Sequence, residues 1–278
     1  MASVRQAGPA APCDELALAE REFQWFRDAM RRHAGIELGP QKKSMVASRL
    51  SSRLRQLGLG SYPAYIAQLS ADQAELQAMV DLLTTNETYF FREPRQFDFI
   101  DAQLDRLSPR GQPLRAWSAA SSSGEEAYSL AMLLAERRGL QGWEILASDI
   151  SRRVLARAQR GLYPLERTRN IPPEYLRSYC LKGVGPQQGR VLVDRRLRER
   201  VSFHAVNLNE ALPEIGRFRL VLLRNVLIYF DKVTKAQVVE RVVERLEPGG
   251  VLIIGQAETL HGVSSELAMM QPSVYRKC

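Results

Sequence analysis

Five short apolar runs in the second half of the chain restrict the fold more than any other feature. They are LRAWSAA (114–120), EILASDI (144–150), RVSFHAV (200–206), RLVLLRN (219–225) and GVLIIGQ (250–256). Between them lie amphipathic patterns over Glu125 to Arg137, Ser151 to Arg160 and Thr234 to Leu246. Strand-sized runs alternating with helical ones are the signature of a parallel sheet with crossover helices, so the fold class is α/β with a Rossmann-like sheet. One connection departs from this plan. Residues 161–200 are rich in Pro, Gly and Arg, and YCLKGVGPQQGRVLVD reads as strand, glycine turn and strand, which predicts a small inserted antiparallel β subdomain.

The first half reads differently. Phe23, Phe26, Met30 and Ala34 recur at helical spacing, a second helix is predicted from Gln41 to Leu57, and a third runs near Ala71 to Leu83. No strand is predicted there. The resulting division is a flexible polar tail over 1–19, a helical amino-terminal domain over 20–84, a linker with a helix over 85–112, and the α/β domain over 113–278.

No apolar run approaches the roughly 20 residues of a bilayer span, and the first residues lack the apolar core of a secretory signal, so a cytoplasmic, non-membrane protein is expected. Cys13, Cys180 and Cys278 are far apart and odd in number, which fits reduced thiols. His33, His204 and His261 have no ligand spacing, so no metal is expected. The net charge of +8 favours an acidic partner. It is concentrated: residues 27–55 hold eight Lys/Arg against Asp28 and Glu37, and 160–200 hold ten against four acids, a local +6 in each case.

In open α/β sheets ligands bind beyond the carboxyl ends of the strands. The first run leads from Ala119 and Ala120 through three serines to Gly124-Glu125-Glu126. Two carboxylates at a helix start would repel a pyrophosphate and suit a ligand carrying positive charge, such as the sulfonium and ammonium of S-adenosylmethionine. They would equally complement the helix dipole. Asp149 closes the second run, where an acid can accept both ribose hydroxyls, or alternatively cap the next helix. Asn207-Leu208 follow the third run, and Arg224-Asn225 begin RNVLIYF after the fourth. In the linker, Asn86, Thr88 and Arg92 alternate with Tyr89, Phe90 and Phe91, either as an interdomain plug or as a cover over the ligand.

The blocks TTNETYFFRE, WSAASSSGEEAYSLAMLL, ASDIS, VNL and RNVLIYFDK resemble the CheR-type chemotaxis receptor methyltransferases, in the family's order and from about Phe23 to Tyr275. The resemblance implies a class I S-adenosylmethionine methyltransferase domain, a helical amino-terminal domain and an inserted β subdomain. It implies that Asn86, Thr88, Arg92, Ala119, Glu126, Asp149, Asn207, Leu208, Arg224 and Asn225 line the cofactor site, with Arg92 and Tyr229 nearest the reaction. The implied activity is protein-glutamate O-methylation of receptors for sensory adaptation. A carboxylate is already ionised at neutral pH, so the absence of a Ser/His/Asp or Cys/His constellation is consistent with it. Ala127 stands where the family commonly has Pro.

Lys42, Arg49 and Arg53 lie along one edge of the second predicted helix and read as a docking surface for an acidic helical bundle. The hairpin KGVGPQQGRVLV resembles versions that hold a receptor's carboxyl-terminal peptide. A monomer is expected. The rivals are a nucleic-acid methyltransferase and a non-catalytic S-adenosylmethionine-binding adaptor. The first lacks its Asn/Asp-Pro-Pro-aromatic cluster after the fourth strand, and Arg92 and Tyr229 weigh against the second.

Overall fold

A computed structural model describes residues 17–109 and 111–278. Four helices, α1 (Glu20–Ala34), α2 (Lys43–Gln56), α3 (Tyr62–Ala71) and α4 (Gln73–Leu83), form the helical domain. Phe23, Phe26, Met30, Val46, Leu50, Leu54, Leu76, Met79 and Val80 make one buried core at the helical spacings read from the sequence. Helix α3 was not foreseen. It is short and has Pro63 in its first turn, yet the Ser61 hydroxyl accepts the Ala64 N–H at 3.3 Å and Tyr62, Tyr65 and Leu69 are buried. Helix α2 begins at Lys43 because Pro40–Lys42 forms a separate 3-10 turn.

The linker leads into α5 (Pro94–Leu107), and then the α/β pattern begins with β1 (Leu114–Ser118), α6 (Glu125–Arg138), β2 (Trp143–Asp149) and α7 (Arg152–Arg160). The inserted segment holds β3 (Leu162–Pro164), α8 (Pro173–Tyr179), β4 (Cys180–Lys182), β5 (Arg190–Val193) and α9 (Arg195–Arg198). The chain closes with β6 (Val201–Ala205), β7 (Phe218–Leu223), α10 (Lys232–Glu244), β8 (Leu246–Ile254), β9 (Leu267–Gln271) and β10 (Val274–Lys277). All five sequence runs are strands of one sheet, ordered β6-β2-β1-β7-β8-β10-β9.

The pairs β1/β2, β1/β7, β2/β6 and β7/β8 are parallel, whereas β10 is antiparallel to both β8 and β9. That final hairpin was not foreseen: its edge strand carries only the short apolar run LAMM (267–270), whose two methionines are exposed. Strand β8 starts four residues before the predicted run. The Glu-Pro-Gly-Gly segment enters the ladder through a register shift between Phe218 and Leu220. The insertion is a three-stranded antiparallel sheet, β3-β5-β4, in place of the two-stranded hairpin foreseen. Strand β1 lies between β2 and β7, so the order of connection reverses at β1 and its carboxyl end opens a crevice.

The helical domain is fastened to the sheet domain near that crevice. Asp81 of α4 accepts the backbone N–H groups of Arg152 and Arg153 at 3.2 and 3.1 Å, capping α7 from another part of the chain. Gln77 donates to Asp81 and to the Ile150 carbonyl, and the Arg153 guanidinium donates to the Asp81 carbonyl. Ile36 and Phe230 form an isolated antiparallel bridge, and the Glu37 N–H donates to the Tyr229 carbonyl at 2.9 Å.

Candidate functional site

The carboxyl ends of β1, β2 and β7, the linker and the α1–α2 connection enclose a cavity with about 1080 Å³ of atom-free space, its open mouth included. Its wall contains Asn86, Thr88, Arg92, Ala119, Glu126, Asp149, Asn207, Leu208, Arg224, Asn225 and Tyr229, together with Lys42. Residues spread over most of the chain therefore converge on one space. Arg49 and Arg53 do not reach it.

The loop after β1 is shaped by its small residues. Ala119 donates its N–H to the Leu222 carbonyl, and Ser121 donates its own to the Ser148 carbonyl, so the loop stays close to both neighbouring strands. Gly124 opens α6 at φ +94°, and a Cβ there would stand 2.8 Å from the Ala158 Cβ. The two carboxylates that follow separate. Glu125 is fully buried, accepts the Ser123 hydroxyl and is ion-paired at 2.5 Å with Arg167 of the inserted subdomain. Glu126 faces the cavity.

The Glu126 carboxylate accepts the Ser118 hydroxyl through one oxygen and Arg224 through the other, both at 2.7 Å. Burial pushes its pKa up, while Arg224 and Ser118 draw it back down. Asp149 accepts Ser122 and Ser151 backbone N–H groups at 2.9 Å, and burial raises its pKa to about 6. Each of its oxygens keeps a second lone pair. It thus acts as the helix-side tie and still presents acceptors to the cavity.

Two acids that sequence reasoning missed hold the other edge. Glu93 accepts the Asn225 amide at 3.1 Å, Arg224 at 3.2 Å and the Gln256 N–H at 3.1 Å. Glu258 accepts the N–H groups of Asn225, Ile228 and Gly255 at 3.0, 3.2 and 2.7 Å. Together they fix the RNVLIYF segment. Gly255 has no room for a side chain, since a Cβ would come within 2.5 Å of the Asn225 amide nitrogen. The only hints in the sequence were the position of Glu93 just before Pro94 and that of Glu258 just beyond a strand end. Among the described residues, five non-glycines have positive φ, and four of them, Phe91, Glu93, Ser122 and Asn225, belong to this linker and these loops. Such backbone is retained where surrounding contacts over-determine it.

Arg92 donates to the Glu87 carbonyl at 3.0 Å and lies over the Tyr89 ring. Tyr229 is half-buried, and burial raises its phenol pKa, with Arg92 opposing the rise. The phenol therefore remains a hydrogen-bond donor at neutral pH. The amide of Asn86 donates to the Thr84 hydroxyl, its carbonyl accepts the Ser122 hydroxyl, and the Thr88 carbonyl accepts Arg167. Asn207 is already committed: its amide donates to the His33 carbonyl and to Glu210, and its carbonyl oxygen accepts the Asn209 N–H. Its side chain ties the helical domain down, and Leu208 beside it is buried in the sheet core.

Two of the three residues read as a docking edge on the second predicted helix are engaged within the helical domain. Arg49 donates to the carbonyls of Leu82, Leu83 and Thr84 at 3.2, 3.1 and 2.9 Å and so caps the end of α4. Arg53 is bidentate to buried Glu75, which also accepts the Tyr65 hydroxyl. These guanidiniums serve the helical domain itself, a fact that spacing along α2 could not reveal. Lys42 is exposed at the cavity, and its ammonium has no ion pair or hydrogen bond among the described residues.

Comparison with known proteins adds independent findings. The family described as CheR methyltransferase, SAM binding domain, matches residues 86–276, and the one described as CheR methyltransferase, all-alpha domain, matches residues 21–84. The chemotaxis protein methyltransferase of Salmonella typhimurium is 39% identical over 265 residues, covering 94% of this chain and 91% of that protein. Chemotaxis protein methyltransferase 2 of Pseudomonas aeruginosa is 40% identical over 264 residues, covering 94% of each. Among solved structures, the glycopeptide N-methyltransferase MtfA complexed with S-adenosylmethionine aligns over 63% of this chain and 57% of its own, at 19% identity and a TM-score of 0.35, too slight a likeness to carry an argument.

Proposed function

We propose, from the premise that the chain belongs to the CheR methyltransferase family, that it transfers a methyl group to glutamate side chains on the cytoplasmic helical bundle of chemotaxis receptors. The methyl donor is S-adenosylmethionine. The single observation supporting the acceptor is that the cavity wall places a guanidinium, Arg92, and a neutral phenol, Tyr229, in the same space, a donor pair suited to a carboxylate. A carboxylate also arrives ionised and needs no base from the wall.

The cavity's donor and acceptor set suits the cofactor. Ala119 and Ala120 allow close backbone approach, Asp149 presents acceptors for ribose hydroxyls, and Glu126 supplies negative charge toward the ammonium. Bound there, S-adenosylmethionine supplies an electrophilic methyl on a sulfonium. The chain's own contribution is positioning and exclusion of water. In this reading Arg92 uses N–H groups not engaged by Glu87 to orient the incoming carboxylate, and the neutral Tyr229 phenol donates to the same group. Lys42 attracts the acidic receptor helix to the mouth. Strand β4 is an edge of the small sheet, with Leu181 54% and Val184 79% exposed, which favours main-chain pairing with a receptor's carboxyl-terminal peptide.

The deciding experiment combines radiolabelled S-adenosylmethionine with a receptor cytoplasmic fragment and then applies mild base. Release of labelled methanol is expected from a glutamyl methyl ester, and label that stays on the protein would refute the acceptor. Arg92→Ala and Tyr229→Phe should each lower turnover about tenfold, the loss of one oriented hydrogen bond to a charged group. Unchanged turnover in both would remove their assignment.

A further inference from the structure

Beside the cavity mouth stand two large apolar side chains that the protein's own packing does not use. Tyr89 is 42% and Ile228 is 55% exposed, whereas their chain neighbours Phe90 and Leu227 are fully buried. Single apolar residues on a surface are ordinary. These two are held in place. The Tyr89 ring centre lies 5.8 Å from the Arg92 guanidinium, which is anchored in turn on the Glu87 carbonyl. Ile228 precedes Tyr229 in the 3-10 turn Leu227–Tyr229, and its N–H is pinned by buried Glu258. Arg92 and Tyr229 feel each other electrostatically. Two exposed apolar side chains thus adjoin the cation and the phenol of the cavity wall, Tyr89 by contact with Arg92 and Ile228 by its place next to Tyr229 in the turn.

We infer that Tyr89 and Ile228 are apolar lips that grip the acceptor helix on either side of the glutamate presented to Arg92 and Tyr229. The inference rests on the acceptor proposed above and deepens it. Arg92 and the free ammonium of Lys42 select an acidic segment, but attraction between exposed charges is screened by salt. Burial of apolar area is not, and it gives the encounter a hold that survives at physiological ionic strength. An amphipathic receptor helix brings both components, because its acidic residues and its apolar stripe are adjacent on one surface.

The test uses the full chain and a receptor cytoplasmic fragment, with S-adenosylmethionine for turnover and S-adenosylhomocysteine for cofactor-site binding. Ile228→Ser and Tyr89→Ser should each raise KM for the fragment about tenfold, the equivalent of one buried apolar side chain. The increase should persist at high salt. Tyr89→Phe should restore KM. Affinity for S-adenosylhomocysteine and the thermal midpoint should stay at wild-type values, and Met269→Ser, at a more exposed position on edge strand β9, should leave KM alone. Wild-type KM in both serine variants, with methyl ester still formed, would overturn the lips while leaving the acceptor standing. Loss of self-association in Ile228→Ser with KM unchanged would instead give the patch to a second copy of the chain. A wild-type protein that forms no base-labile ester on the fragment overturns the acceptor, and the lips with it.

Discussion

On the sheet side of the cavity, Glu126, Asp149, Arg224 and Asn225 each hold hydrogen bonds to other parts of the protein before any ligand arrives. The side contributed by the helical domain presents Ile36, Leu38 and Met45 and the uncommitted ammonium of Lys42. The contrast separates two tasks. The sheet wall is preorganised for one small, constant ligand, whose polar groups would otherwise have to reorganise the site at each turnover. In the proposed function the helical wall is the one left to a macromolecular partner that supplies its own complementary groups.

The largest effect should come from undoing the preorganised side. Arg224 is 1% exposed and pairs with both Glu126 and Glu93, so Arg224→Met leaves buried carboxylates uncompensated and should cost about 3–5 kcal/mol of unfolding free energy. A wild-type midpoint in urea would mean that this network does not organise the wall. Next, Arg53→Ala strands Glu75, which is 4% exposed, and should lower stability by about 2 kcal/mol. A change confined to KM for receptor, with stability unaffected, would return Arg53 to the docking surface.

The third prediction concerns pH. With the Asp149 carboxyl raised to about 6 in the ligand-free chain, lowering pH from 7 to 5 protonates it and removes acceptors from the cavity. Affinity for S-adenosylhomocysteine, read by calorimetry, should fall about tenfold over that range. Stability should move the opposite way. A carboxyl raised by burial favours the protonated fold, so its contribution is fully present below the ordinary aspartate range and is lost as pH rises through about 6. Parallel pH slopes for binding and stability would contradict the assignment. The smallest effect belongs to the open wall: Lys42→Ala should raise KM for receptor about twofold at low salt and leave stability unchanged.

The same contrast explains what the sequence disclosed. Buried parallel strands are local apolar runs, and polar residues at their ends mark the site because chain direction puts those ends together. Asp149, Glu126 and Asn225 were legible for that reason. Glu93 and Glu258 were not, since their partners, the Arg224 and Asn225 side chains and backbone N–H groups of the folded loops, are brought near only by folding. Glu125 shows the converse. Its adjacency to Glu126 gave both residues one meaning, yet a single residue step, about 100° around the helix, sends it to Arg167 instead. Likewise Arg49 and Arg53 share an edge of α2 with Lys42, but their partners lie on α4, more than 20 residues later in the chain. Strands β3 and β10 depended on pairing with distant segments and left no periodic trace.

Asp81 carries a consequence for how the molecule can be taken apart. Helix α7 has no side-chain cap of its own at Ser151, and its first N–H groups are satisfied by an acid from α4. Those groups begin three residues after Asp149, in the turn that carries this cavity-lining carboxylate. A fragment starting after residue 84 would therefore lose not an appendage but the fastening of its own ligand site. The boundary visible in the sequence divides two patterns of residues, while the hydrogen bonds that hold the cavity's edge cross it.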